Sequence, residues 1–320
     1  MANFDLEIPQ ERVNILSFLR QTEIKCSRQN SESKRSFDLA YQVWEKVSEQ
    51  LWFLGYWNDY FNCGNIVLKS AKAVGNSEIK AQLLSELGWV CMEWEEFAKA
   101  EKYFLESLQT YESIVDPKKQ CRLLRYLGVL SYHQRKPDLA LKYYRLALEI
   151  VTANCQKERP NETWAFNEAE LPNVMGEFYL DLQDFPASYR ELNLSLEKYR
   201  SLIHRYRYYQ ADPLLNLGRW HFLQGDFEKA EQYYQECVQL CQEISRPDTM
   251  AKALVNLAEL AEARGKLEKA IELAAEAEQV AGIEVTSVRD RAARFREQLL
   301  SKKLAVEGRN KKEKRTRKKK

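Results

Sequence analysis

The sequence has few of the residues from which catalytic and phosphate-binding sites are built. It contains 11 glycines and 3 histidines among 320 residues. It has no G-x-x-x-x-G-K-[ST] run, and His133, His204 and His221 have no partner at a metal-ligand spacing. No Ser/His/Asp or Cys/His signature is present either. We therefore expect a non-enzymatic protein with no catalytic residue, no metal and no cofactor.

Long apolar stretches are also missing. No run reaches the roughly 18 apolar residues that a membrane span needs. The opening residues, MANFDLEIPQ, lack the basic and apolar regions of a secretory signal. The 7 cysteines are scattered, which favours reduced core residues in a reducing compartment. These features predict a cytoplasmic protein without a membrane span.

What the sequence does have is a pattern that recurs six times between Phe37 and Gly282. Apolar residues fall at i, i+3 and i+7, then again after a break, which indicates two amphipathic helices joined by a turn. A period near 40 residues is typical of stacked helical hairpins. The small residues that mark the phase are Ser48, Gly88, Gly128, Gly176, Gly218 and Ala258, separated by 40, 40, 48, 42 and 40 residues.

Glycine and proline have structural places in this pattern. Gly55, Gly225 and Gly265 fall in the breaks, where a left-handed residue ends a helix. Pro137 and Pro186 fall where a second helix begins. The glycines in the phase-marking set are predicted where two helices press together.

One unit, LLNLGRWHFLQGDFEKAEQYYQECVQ at 214–239, resembles the tetratricopeptide repeat (TPR). The resemblance covers Phe37 to about Ala281 and implies an all-α fold, a right-handed α-solenoid of about six TPR-like hairpins with a C-terminal capping helix. The period exceeds the usual value of about 34 residues. This long-repeat type is similar to the sensor and adaptor arms of bacterial STAND (NB-ARC-like) proteins, here without the ATPase domain.

Four regions follow. Residues 1–36 are predicted to form an N-terminal helix and a polar linker, and residues 37–282 the repeat array. Residues 283–301 carry an apolar stripe from Val285 to Leu299 and are predicted to form the capping helix. Residues 302–320 have almost no apolar side chains and are predicted to be a disordered basic tail.

The resemblance also implies where a partner binds. In the family, the first helix of each hairpin lines a concave groove, so we expect a scaffold or adaptor that binds a protein or peptide there. Its arginines favour an acidic peptide with aromatic residues. Trp52 and Trp89 suit packing between neighbouring hairpins equally well. The candidate groove residues are Trp52, Trp89, Met92, Arg122, Arg125, Tyr132, Arg219 and Phe222.

The tail suggests an alternative function. Residues 302–320 carry a charge of +9, whereas the preceding residues carry −7. Such a tail either keeps the protein soluble or contacts nucleic acid, an acidic protein or a membrane surface. The alternative is therefore a regulatory factor associated with nucleic acid. Its candidate contact residues are Lys311, Lys312, Lys314, Arg315, Arg317 and Lys318.

Two stretches interrupt the period. Residues 153–172 are predicted to be a long connection that contains Trp164 and Phe166. Residues 204–212 alternate tyrosine with arginine, a pattern that can stack on single-stranded bases. It suits a seam between repeats better, and this is the interpretation we favour.

Overall fold

The protein is all-helical, as the sequence predicts. A computed structural model describes residues 9–53, 56–155, 162–202, 204–282 and 286–317, and no strand occurs in these ranges. A short 3-10 helix covers His204–Gln210. The α-helices are α1 (Pro9–Cys26), α2 (Ser31–Phe53), α3 (Trp57–Ala73), α4 (Ser77–Glu93), α5 (Phe97–Ser113), α6 (Pro117–His133), α7 (Pro137–Cys155), α8 (Glu162–Asp181), α9 (Phe185–Ser201), α10 (Ala211–Leu223), α11 (Phe227–Glu243), α12 (Pro247–Ala263), α13 (Leu267–Ala281) and α14 (Thr286–Arg317).

A three-residue turn with a left-handed middle residue recurs between helices. After α3, Gly75 has a φ of +72°, and the amide of Asn76 donates to the carbonyl of Ala71 at 2.9 Å, which closes the helix. Two helices of 17 residues, such as α4 and α5, together with two such turns give the 40-residue period. Gly55 lies outside the described residues. The same middle position is held by Glu95, Val115, Arg135, Gln183, Gly225, Ser245 and Gly265.

The two helices of a hairpin cross at the phase-marking glycines, which confirms that prediction. A Cβ atom on Gly88 would lie 2.7 Å from a ring carbon of Phe104 in the second helix. One on Gly176 would lie 2.6 Å from the side chain of Leu192. Real side chains do not approach so closely, so these crossings exclude any residue larger than glycine without a shift of the partner helix.

The chain divides into two compact units. In the first, Met1–Asn167, α1 packs on α2 and α3. Hairpins α2–α3, α4–α5 and α6–α7 follow. Tyr60 stands where the next two hairpins have the buried Ala100 and Ala140, and its ring lies 4.7 Å from that of Trp44. The first hairpin therefore has a bulkier, aromatic centre than the others.

The second unit, Glu168–Lys320, ends with a helix that covers the last hairpin. In α14, Val288, Ala292 and Leu299 are buried, and the helix contacts α13 and α12. Arg291 pairs with Glu259 at 2.8 Å and Arg296 with Glu278 at 3.0 Å. This is the capping helix expected from the apolar stripe.

Two helices extend into segments predicted to be irregular. α14 continues to Arg317, whereas the sequence predicts a disordered tail from residue 302. Lysine, arginine and glutamate are good helix formers, and Lys303 still pairs with Glu268 at 3.3 Å. α2 begins at Ser31, inside the predicted polar linker, and the Asn30 side chain accepts a hydrogen bond from the Glu32 amide at 3.1 Å.

The predicted long connection at 153–172 is largely helix. α8 starts at Glu162 and contains Pro172, although an internal proline costs about 3 kcal/mol. Burial of Trp164, Ala169 and Leu171 offsets this cost.

The stretch at residues 204–212, where arginine and tyrosine alternate, packs against neighbouring helices, in agreement with the seam favoured from the sequence. The Tyr209 ring stacks at 6.0 Å on Tyr199, and the Arg246 guanidinium lies 4.4 Å from the ring of Tyr208.

No helix in the described part of the chain combines the length and apolar character needed to cross a bilayer.

Candidate functional site

The first helices of the three hairpins in the first unit, α2, α4 and α6, form what we call the first-helix face. The rings of Trp89 on α4 and Tyr126 on α6 lie 4.7 Å apart, so these two helices are neighbours. Trp52, Trp89, Arg122 and Tyr132 are half-buried on this face. Trp52 stacks on Trp57 at 4.9 Å. These four predicted groove residues are therefore three partly exposed aromatic side chains and one partly exposed arginine.

Two of the predicted groove residues are interior. Met92 and Arg125 are each 5% exposed, so neither offers its side chain to a partner. The Arg125 guanidinium lies 5.0 Å from the ring of Tyr126 and 5.8 Å from that of Phe166. The prediction for Arg125 is wrong, and Phe166, predicted in a connection, lies in α8 near its guanidinium.

Arg122 has buried donor atoms. Its Nε and Nη2 atoms are buried and have no hydrogen-bond partner among the described residues. A buried donor left unsatisfied costs about 1–3 kcal/mol.

A pocket of about 410 Å³ opens on the same face between α2 and α4. Buried Trp44 and Tyr60 form its floor, and half-buried Tyr41 and Trp52 form its walls. Two exposed carboxylates, Glu45 and Glu49, stand at the rim, with Gln82, Glu86 and Ser48 completing the lining. The floor of the pocket is therefore aromatic, and its exposed rim is acidic.

Glu86 is held inside this pocket by two hydrogen bonds. Gln82 Nε2 donates to its carboxylate at 2.9 Å, and the Tyr60 hydroxyl donates at 3.2 Å. Burial raises the pKa of Glu86, although the hydrogen bonds and the charges of Arg122 and Lys119 act in the opposite direction. Burial, and then the charges of Glu45 and Glu86, raise the pKa of the Tyr41 hydroxyl, so these carboxylates lie close to the tyrosine.

In the second unit, the predicted groove residues already have partners. Arg219 pairs with Asp181 at 2.9 Å, and the Phe222 ring stacks on Phe227 at 5.6 Å. Both side chains are half-buried. Their contacts stabilise the unit, so we assign them no separate binding site.

A second cavity, of about 460 Å³, lies between α11, α12 and α13. Its floor is apolar and includes Leu254 and Leu257. Arg264 at its rim pairs with Glu231 and with Glu228, the latter at 3.2 Å. The arginine of this rim is therefore already neutralised within the unit.

The candidate nucleic-acid residues cannot be placed as side chains. Lys311, Lys312, Lys314, Arg315 and Arg317 belong to the end of α14, but their side chains, and Lys318 as a whole, lie outside the described residues. Upstream, Lys302 pairs with Glu262. Contact with nucleic acid stays a prediction.

Sequence reasoning missed the pocket. Tyr41, Glu45, Glu49, Gln82 and Glu86 carry no repeat signature. One signal was available: Tyr60 is bulky where the repeat calls for a small residue. A break in the repeat at a buried position indicates a local change in packing.

Comparisons with known proteins agree with the helical-hairpin architecture. The sequence profile of the tetratricopeptide repeat matches residues 167–243 and 209–283. No curated protein matches the chain in sequence. Among solved structures, a STAND protein with a tetratricopeptide repeat sensor from Pyrococcus horikoshii is 16% identical, with a TM-score of 0.57, and the match covers 90% of this chain and 42% of that one.

Two further similar structures are titled as complexes. A Rap protein complexed with Competence and Sporulation Factor is 16% identical, with a TM-score of 0.54, and the match covers 84% of this chain and 77% of that one. NprR in complex with its cognate peptide NprX is 14% identical, with a TM-score of 0.55, over 89% and 81%. At these identities the likeness concerns the fold. The profile match shows tetratricopeptide repeats within residues 167–283.

Proposed function

We propose that the protein is a non-catalytic scaffold that binds a protein or peptide partner on the first-helix face of its first unit. The observation that carries this proposal is the group of half-buried side chains Trp89, Arg122 and Tyr132 on this face. A partner carboxylate would pair with the exposed part of the Arg122 guanidinium. Half-buried Trp89 and Tyr132 beside it match the composition of binding hot spots.

The fold supports the same proposal. NprR is described in complex with a peptide, and this chain resembles it in fold. The expectation of an acidic peptide now rests on Arg122 alone, because Arg125 is buried and Arg219 pairs with Asp181 within the protein, whereas Arg122 is half-buried. A cytoplasmic location stays a prediction.

Panning a random dodecapeptide library displayed on phage against the full chain tests the proposal. We expect enriched peptides whose affinity falls about tenfold or more in Arg122→Gln and in Trp89→Ala. The matched controls are Arg145→Gln and Leu105→Ala, which change exposed residues on second helices.

Melting temperatures and circular dichroism identify variants that lose structure. If no peptide is enriched, or if folded Arg122→Gln binds the selected peptides as the wild type does, the proposal is wrong. The alternative, nucleic-acid binding by the tail, predicts instead that deletion of residues 302–320 abolishes a salt-sensitive affinity for nucleic acid.

A further inference from the structure

We propose that the pocket between α2 and α4 receives a basic side chain, an arginine or lysine, of the partner. This inference rests on the function proposed above and names the chemistry of one partner residue. Its starting point is the lining, which has two exposed carboxylates, Glu45 and Glu49, a third acidic side chain, Glu86, and no lysine or arginine. All of the lining residues lie within the described ranges.

The aromatic residues favour a cation over a neutral polar group. Tyr41 and Trp52 wall the pocket, and a cation within about 6 Å of a ring centroid is attracted to the face of the ring. Trp52 is held in place by the Trp57 ring at 4.9 Å and by the Tyr60 ring at 5.3 Å. A wall held in this way does not have to be ordered when the ligand arrives, which lowers the entropic cost of binding.

The aromatic and acidic lining of the pocket suits a long side chain with a charged end. Lysine and arginine have apolar stems that pack on aromatic surface while the head reaches a charge. Glu86 sits below the exposed rim and keeps acceptor capacity after the bonds from Gln82 and Tyr60. An incoming guanidinium or ammonium would thus meet carboxylates at the rim and one deeper inside.

Arg122 and the pocket favour partner residues of opposite charge. Arg122 favours an acceptor, whereas the pocket favours a donor cation. Arg122 acts electrostatically on Glu86, which lines the pocket. A single short segment with a basic and an acidic residue would satisfy both.

The test uses the full chain labelled with ¹⁵N-tryptophan and the probe Nα-acetyl-arginine amide. The chain has 7 tryptophans, and the Trp52→Phe variant assigns the Trp52 indole signal. We expect a saturable shift of that signal with the arginine compound. Nα-acetyl-citrulline amide, the neutral isostere, should bind at least about tenfold more weakly, because it lacks the charge.

The variants locate the effect. Glu45→Gln with Glu49→Gln should weaken the arginine compound about tenfold. Asp38→Asn removes one carboxylate charge from an exposed position of α2 outside the pocket and should leave binding unchanged. Equal binding of citrulline, or wild-type affinity in the double variant, would overturn the inference.

The library experiment separates this inference from the proposed function. One outcome is that the selected peptides show no enrichment of arginine or lysine and bind the Glu45→Gln, Glu49→Gln variant as tightly as the wild type. That result would reject the pocket inference and leave the scaffold proposal intact. Conversely, a saturable arginine shift without any enriched peptide would reject the scaffold proposal alone.

Discussion

The ring of Tyr144 lies against the backbone of Gly128, so that a Cβ atom at position 128 would stand 2.4 Å from Tyr144 Cε1. The same relationship joins Gly218 to Tyr234, again at 2.4 Å. Both tyrosines are 1% exposed, and their rings therefore have little room to move away. Each ring fixes how closely the two helices of its hairpin approach.

Gly128→Ala should lower the free energy of unfolding by about 1–2 kcal/mol. Overpacking costs about 1–3 kcal/mol, which outweighs the gain in helix propensity of about 0.5–1 kcal/mol. Urea denaturation of the full chain measures the loss. In a Tyr144→Leu background the same change should cost less, since the opposing ring carbons are gone, and an equal cost in both backgrounds would refute this explanation.

Val115→Gly should raise the free energy of unfolding by about 1 kcal/mol. Val115 has a φ of +55° and is 77% exposed, so its side chain adds left-handed strain and little packing. The neighbouring Ile114 has a φ of −94° and is the control. Ile114→Gly should be destabilising, and a shift of the same sign in both variants would show that strain at position 115 is not the cause.

Glu86→Gln should stabilise the protein at neutral pH. Because the folded-state pKa of Glu86 is raised above its ordinary value of 4.5, the folded state binds an extra proton in the window above 4.5. The contribution of Glu86 to the free energy of unfolding of the wild type is therefore highest below pH 4.5 and falls as the pH rises above that value. The advantage of Glu86→Gln should thus grow with pH and vanish in acid, as urea denaturation across pH can measure.

Glu106→Gln should behave in the opposite way. Hydrogen bonding to Lys80, at 2.8 Å, holds the pKa of Glu106 below its ordinary value. Its stabilising contribution is present above pH 4.5 and is lost as pH falls. The loss of stability in Glu106→Gln should therefore be largest at neutral pH, as urea denaturation across pH can measure. If the stability changes of Glu86→Gln and Glu106→Gln followed pH in the same direction, this explanation would be wrong.

Leu299→Asp should release the capping helix. Leu299 is fully buried against Ala258, Ala261 and Phe295, and burying a charge there costs several kcal/mol. Segment-resolved hydrogen exchange should show lost protection in α13 and α14 and unchanged protection in α4 to α7, because hairpins in repeat proteins contact mainly their neighbours. Leu300→Asp, at a side chain that is 40% exposed, is the matched control. Loss of protection throughout the chain would argue for a single cooperative core.

The hairpins could be predicted because local rules repeat in them. Small residues at a fixed phase mark the crossings, and Gly225 and Gly265 mark turns. Non-glycine turn residues such as Val115 and Gln183 carry no such mark, yet they adopt the same conformation. There, the packing of the helices on either side overrides the preference of one residue.

The candidate site was only partly predictable, for a different reason. Whether Arg125 is exposed depends on Phe166, which is 41 positions away and lies in a helix that contains a proline. The pocket depends on α2 and α4 meeting over Tyr60. Such long-range contacts leave no periodic trace in the sequence.

Because the same turn recurs between helices, a repeat can be defined as starting at any of these turns. Excision of residues 95–134, one full period, would join Trp94 directly to Arg135. Arg135 has a φ of +60°, as Glu95 does, so the new junction would reproduce the old geometry. Duplication or loss of a hairpin by recombination could therefore occur at any of these turns, and the length of such an array is free to change in evolution while its local architecture stays the same.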